Sequence, residues 1–292
     1  MDNDKFYLDK KAYRWYMTKN IFAKTLMYAF LIALALFIIM PFYWMINTSL
    51  KSAYEIDRMI PTLLPESWRF YNYFEIFHRS ENFGRYFLNT FIVGACTTTG
   101  MLFTTILAAF AFSRLRFPGR DILFSALLMT MMVPGEMYII TNYVTVTTFK
   151  GIDQYWAMIV PFTASVFNIF FLRQSFRQIP DELYLAAKVD GTSDFKYLRR
   201  IMIPIARPTI ITITILSLFG AWNAFIWPRL IVRSDSMKLI SNGLMSAFSN
   251  ESEILFHLQM AASAVVTLPL LIAFMIFKKY IVRGVSRAGI KG

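Results

Sequence analysis

TLMYAFLIALALFIIMPFYWMI, residues 25–46, runs for 22 residues without one charged side chain. A helix needs roughly 20 apolar residues to cross about 30 Å of hydrocarbon, so this stretch reads as a membrane span. Some two dozen largely polar residues precede it, and no small-residue cleavage site follows Pro41-Phe42-Tyr43-Trp44. It is therefore read as a retained helix and not as a removable leader.

Outward from it, five more segments meet the same criterion: about Tyr86–Phe112, Ile122–Val144 (broken at Pro134-Gly135), Tyr155–Phe171, Thr209–Val232 and Leu258–Phe277. The composition agrees, with 57% hydrophobic and 16% charged residues, against about 45–50% and about 25% in soluble domains. The expectation is an all-α polytopic membrane protein of six transmembrane helices. Residues 1–24 would form an N-terminal tail, 25–281 the six-span body and 282–292 a C-terminal tail.

The formal charge of +12 would suggest nucleic acid in a soluble chain. Here it follows topology. With the N-terminus inside, the tail, the 113–121 loop, the 172–208 loop and the C-terminus are each positive, while the outside loops are near neutral in total. Lys and Arg accumulate on cytoplasmic loops, so both termini are expected in the cytoplasm of a multi-pass cell-membrane protein, with no nucleic-acid partner. Cys96 is the one cysteine, which excludes an internal disulfide, and His78 and His257 are too few and too distant for a metal site. No GxxxxGK[ST] run exists, so the chain holds no P-loop of its own. The outside stretch 47–85 is rich in aromatic residues such as Tyr54, Trp68 and Phe70, which suit a membrane–water interface.

The inside loop 172–208 contains PDELYLAAKVDGTSD, residues 180–194. Pro180 with Asp181 and Glu182 marks a helix start, the acids facing the positive end of the dipole. Asp190-Gly191 marks its stop, and Thr192 or Ser193 can cap a second helix that Pro204 and Pro208 close. Leu183, Ala186 and Ala187 share a face. That face suits either the lipid interface or a groove in another protein; the acidic start and small residues favour the groove.

The segment Ala186-Ala187-Lys188-Val189-Asp190-Gly191-Thr192, with Pro204 thirteen residues beyond the glycine and then Pro208, resembles the EAA loop of permease subunits of bacterial ABC importers. The resemblance extends over nearly the whole chain, through Pro41…Trp44…Ser49-Leu50-Lys51, Asn89-Thr90, Ala108…Phe112…Arg114 with Phe117-Pro118-Gly119, Met132-Val133-Pro134-Gly135-Glu136, Trp156-Ala157-Met158-Ile159-Val160-Pro161 and Trp222-Asn223…Trp227-Pro228. It is similar to the carbohydrate branch, on the side of the smaller maltose-type subunit. This resemblance implies a type I importer permease fold and a loop that docks in a cleft of an ATPase subunit, with Ala186, Ala187, Asp190 and Gly191 at the contact. Leu185 stands where the motif has glutamate, and Glu182, one turn earlier, is the candidate to replace it. It further implies an ATPase dimer that binds ATP and Mg, a second permease subunit forming a heterodimer, and an extracellular solute-binding protein. No cofactor is expected in this chain and no chemistry of its own.

The expected cargo is a sugar or oligosaccharide; a glycerol phosphate ester or a polyamine is the alternative. An ATP-independent secondary transporter is a different class, which would show mid-span acids or inverted repeats. Trp222, Asn223, Phe225 and Trp227 suit sugar stacking and hydrogen bonding, and equally suit interhelical packing; Ala224 and Arg229 depart from the family pattern. Glu136 reads as an interfacial carboxylate, and Met129, Met131, Met132 and Met137 as lipid-facing or filler. The outside loop 233–256, with Glu251 and Glu253, would reach towards the solute-binding protein.

Overall fold

The computed structural model describes residues 10–79, 82–248 and 255–289. The expectations for residues 1–9, for Glu251 and Glu253, and for 290–292 lie outside the described residues. Those residues form helices and connecting turns, with no strand among them.

Helix α1 (Lys10–Ser49) has 40 residues, about 60 Å at 1.5 Å per residue, twice the hydrocarbon thickness. Its apolar side chains are exposed along most of its length, Phe37 at 76%, and burial begins only near Ser49. There Asn72 donates through Nδ2 to the carbonyls of Ser49 and Lys51 at 2.8 and 2.9 Å. This bond pair folds residues 50–79 back on the helix, through α2 (Ala53–Ile56) and α3 (Asn72–Arg79). Buried Glu55 fixes the turn between them, accepting from the Thr62 hydroxyl and the Glu66 backbone N–H.

Helix α4 (Phe83–Arg114) is the second unbroken span, and α15 (Phe256–Gly289) the last. Between them three passes are bent. α5 (Arg120–Thr130) and α6 (Ile139–Thr148) meet at 89° across Pro134, where the sequence places the break. α7 (Tyr155–Ile159) leads into α8 (Val166–Arg177) at 44°, where Ser165 caps α8 by accepting from the Asn168 N–H at 3.3 Å. Three straight helices and three bent pairs give up to six crossings.

The connection after α8 forms α9 (Asp181–Val189) and α10 (Asp194–Tyr197), and the second helix runs one residue past Pro204 before it ends ahead of Pro208. A π-turn, Leu198–Met202, follows α10 and leads into α11 (Ile203–Ile205), which contains Pro204. A π-turn interrupts the regular bonding register, so a residue without an N–H fits just beyond it. The chain then bends by 79° into α12 (Arg207–Trp222). The fifth segment also differs from one continuous span: α12 stops at Trp222, and α13 (Ile226–Ile231) starts afresh. Pro228 explains the restart, because proline is tolerated in a first turn and breaks a helix interior. α14 (Ile240–Ala247) precedes the last helix.

Three buried clusters hold these elements. An inner one joins Ala109, Leu172, Phe176, Ala187, Tyr197 and Met202. A middle one centres on Val93, Ala157, Trp227 and Ile231. An outer one packs Ile76, Phe83, Tyr86, Phe248 and Leu258.

Candidate functional site

The α9–α10 loop has the geometry of a docking element. α9 ends in a Schellman turn: the Thr192 N–H donates to Ala187 O at 2.8 Å and the Gly191 N–H to Lys188 O at 3.0 Å. Gly191 sits at φ +69°, a conformation that a Cβ penalises. Ser193, not Thr192, caps α10, accepting from the Lys196 N–H at 3.4 Å. Lys188 Nζ lies 2.7 Å from Asp194 Oδ1, and the Tyr184 hydroxyl donates to the same oxygen at 2.7 Å. The two helices are thus clamped across the turn, with the Tyr184 and Tyr197 rings edge to face at 5.0 Å. The Lys188 ammonium, then the Tyr184 hydroxyl, hold the Asp194 carboxyl below its ordinary value. Asp194 in turn raises Lys188.

The face turned outward is apolar. Val189 is 88% and Leu185 56% exposed, beside exposed Leu183, Ala186, Asp190, Gly191 and Phe195. Glu182 is exposed at the start of α9. Ala187 differs from the reading that places it on the contact surface: it is 7% exposed and packs in the inner cluster. It lies one residue on from Ala186, about 100° further round a helix of 3.6 residues per turn.

Arg114 ties this loop to α4, and Arg173 ties α8 to α4 and α5. Arg114, the last residue of α4, has a buried side chain that donates to the carbonyls of Phe176 (2.8 Å) and Ile179 and to the Asp181 carboxylate. Arg173 of α8 donates through Nε to Phe112 O at 3.0 Å, its guanidinium 3.9 Å from the Phe124 ring centroid. The sequence reading counted both as inside charges and gave neither a structural task. The available signal was the position of Arg114 at the end of an apolar run facing an Asp at a helix start.

The four aromatic and amide candidates do not form one site. Trp227 is buried, donating through Nε1 to Ala157 O at 3.0 Å, and lines a cavity of about 370 Å³ between α4, α7–α8 and α12–α13. Trp222 donates to Val266 O at 3.3 Å and lines a separate, almost wholly apolar cavity against α15. Asn223 is exposed and bonds within its own helix to Phe219 O. Phe225 lies under the Arg229 guanidinium, 5.5 Å away. Packing accounts for most of these contacts. Glu136 and the four methionines of the third span are all exposed on the isolated chain.

Known proteins share this arrangement. The chain is 31% identical over 268 residues to the arabinooligosaccharides transport system permease protein AraQ of Bacillus subtilis, covering 90% of this chain and 94% of that one. It is 29% identical over 229 residues to the sn-glycerol-3-phosphate transport system permease protein UgpE of Yersinia pestis, covering 76% and 82%. Its fold matches a chain of a crystal structure of a bacterial ABC transporter involved in the import of the acidic polysaccharide alginate, with TM-score 0.81, 22% identity, and coverage of 90% and 97%. Residues 100–287, from mid-α4 through the α9–α10 loop and into α15, match the family described as binding-protein-dependent transport system inner membrane component. The chain belongs to that family of ABC-importer permeases.

Proposed function

We propose that this chain is the membrane-spanning permease subunit of an ATP-driven importer of a sugar or oligosaccharide, with six spans and both termini in the cytoplasm. The observation that carries the reading is the family match, which contains the α9–α10 loop and, apart from the first half of α4, the helices around the 370 Å³ cavity. In this reading an ATPase dimer binds ATP and Mg, a second permease completes the pathway, and a solute-binding protein delivers cargo outside. The exposed side of α9 around Ala186, Asp190 and Gly191 enters a cleft of the ATPase. Leu185 brings apolar contact where the family motif has glutamate, and Glu182 supplies a carboxylate one turn earlier. Closure of the ATPase dimer then pushes α9, and Arg114 passes the motion to α4.

The sugar cargo follows the arabinooligosaccharide relative; the sn-glycerol-3-phosphate relative supports a phosphate ester as the second reading. The test is purification of the chain from its native membrane in mild detergent, with co-purifying proteins identified by mass spectrometry. Recovery of a P-loop ATPase and a second permease is expected. Recovery of the chain alone, transporting in proteoliposomes without ATP, would overturn the reading.

A further inference from the structure

The end of the molecule that carries the start of α9 also collects a surplus of positive charge. Residues 115–119 turn the chain from α4 into α5, and this turn walls a cleft of about 490 Å³ with Arg116, Phe117, Gly119, Arg120, Asp121 and Ile122. The last turns of α8 add Arg173 and Arg177 beside it. Asp121 is the carboxylate they share. Arg120 Nε lies 3.1 Å and Arg173 3.9 Å from its Oδ1, and Arg177 acts on it from further away. Four arginines against one carboxylate leave three positive charges in excess. Arg114 does not relieve them, because it is engaged with Asp181 and two carbonyls. The Arg116 and Arg177 side chains are exposed and have no hydrogen bond or ion pair among the described residues. Arg173, 7% exposed, feels Arg120 and Arg177 as like charges. Like charges held together near a low-dielectric interior repel, and an anion in the cleft relieves them.

Two observations narrow the anion. Gly119 stands at the N-cap of α5 with φ +75° and no side-chain bond, so the positive end of that helix dipole is uncovered. Ile122 and Leu123, the next residues along α5, are 77% and 53% exposed. The cleft lies where three crossings end, α4 at Arg114, the α5–α6 pair at Arg120 and the α7–α8 pair at Arg177. A free anion would answer the charge and leave the two apolar side chains bare. An anion with hydrocarbon chains answers both. We propose that this cleft binds the phosphate headgroup of an anionic phospholipid, with Arg116 and Arg120 on the phosphate and the acyl chains along Ile122 and Leu123. The planar guanidinium fork matches phosphate oxygens in pairs, and basic recesses between spans suit anionic headgroups. A zwitterionic lipid brings its own cation into the surplus and gains less. The proposal needs the membrane placement of the family and neither the cargo nor the ATPase coupling.

The test uses the full chain with its co-purifying partners, in nanodiscs of phosphatidylcholine with a minority of phosphatidylglycerol. The complex is released into detergent and its retained lipid is read by native mass spectrometry. Retention of phosphatidylglycerol at least tenfold above its share of the disc is expected. Arg116→Gln/Arg120→Gln should lose one retained phosphatidylglycerol per chain, and Asp121→Asn, which removes the competing carboxylate, should retain it at a lower lipid fraction than wild type. Arg116→Gln alone is the folding control: its side chain has no partner, so Tm in pure phosphatidylcholine should stay at the wild-type value while retention falls. Wild-type retention in Arg116→Gln and in the double variant, equal retention of phosphatidylcholine, or weaker retention in Asp121→Asn would each overturn the site. Displacement of the lipid by millimolar inorganic phosphate would assign the cleft to a free anion and overturn it too. The importer reading is scored separately, by which proteins co-purify, so either can fail without the other.

Discussion

Replacing Arg114 with Met should loosen the α9–α10 loop while leaving the spans inserted. The side chain is 3% exposed and its bonds divide into two kinds. The pair with Asp181 faces an acid that is 78% exposed, and solvent screens such a contact to about 1 kcal/mol or less. The bonds to Phe176 O and Ile179 O are buried. Charged donors to neutral acceptors contribute about 1.5–3 kcal/mol each, so the two together give about 3–6 kcal/mol. Methionine keeps the apolar stem and removes those bonds. Amide hydrogen exchange across 176–190 in the purified complex should then accelerate by about 100-fold or more, since 1.4 kcal/mol is a factor of ten. Cargo-stimulated ATPase activity should fall in parallel. Asp181→Asn is the internal control, expected to change exchange by less than about tenfold. If Arg114→Met left both protection and stimulation at wild-type levels, or if Asp181→Asn matched it, the carbonyl bonds would not be what holds the loop.

Three further outcomes follow from the same geometry. Gly191→Ala meets no atom within 4 Å, so its cost is that of the left-handed backbone alone, about 1–2 kcal/mol; Gly191→Val should cost more and uncouple ATP hydrolysis from uptake with all spans inserted, as read by ATPase and transport assays together. Gly243→Ala is the steric opposite: its Cβ would stand 2.1 Å from the ring of Tyr86, whose hydroxyl is anchored on Asp235 at 2.7 Å. Overpacking costs about 1–3 kcal/mol, so a lowered Tm and poor recovery of folded complex by size-exclusion chromatography are expected. The Asp194 clamp has a defined pH window. Its carboxyl lies below the ordinary 3.8, so the stabilisation is full above that value and is lost as pH falls through the folded-state pKa. Lys188 lies above 10.5, so its share is full below that value and is lost as pH rises through the raised one. Exchange protection of α9, corrected for intrinsic rates, should therefore be flat from about pH 5 to 9, and Asp194→Asn should lower it by less than about tenfold, both partners being part-exposed.

The spans could be read from sequence because hydrocarbon imposes a length and a polarity on each segment, and residues 25–46 meet both without ambiguity. The α9–α10 turn was legible for a related reason: Gly191 and Ser193 announce local backbone geometry that needs no distant partner. What failed was local grammar overridden by register. Pro204 signals a helix end, and the end comes one residue later, at Ile205, after a π-turn that the sequence does not announce. Ala187 shares an apolar stripe with Leu183 and Ala186, but only the fold shows that its side of α9 packs inward. The Trp222–Trp227 group reads as one site because its members are neighbours in sequence. A helix break at 223–225 sends its tryptophans to two different cavities. Thr97 and Thr98 carry no sequence signal at all, since a threonine in a span ordinarily bonds its own helix and only the structure shows that these two do not.

In the proposed importer, helix α4 would link the α9–α10 loop to the cavity lined by Trp227. Its 32 residues form one unbroken helix, about 48 Å long. Its C-terminal end is pinned to the start of α9 through Arg114, and its N-terminal end to the 235–240 segment through Tyr86, Asn89 and Thr90. Thr98 lies 16 residues from Arg114 on the same helix, about 24 Å along its axis. A helix without a break transmits axial displacement with little loss, whereas the spans beside it are hinged at 89°, 44° and 79°. Movement of α9 would therefore reach the cavity's α4 wall as a rigid shift, while the α8 and α12 walls can yield at their bends. A glycine pair introduced into α4 between the two points, at Ile106 and Leu107, should accordingly preserve docking of the ATPase and abolish its stimulation by cargo. Full stimulation in that variant would place the coupling route through α8 or α12 instead.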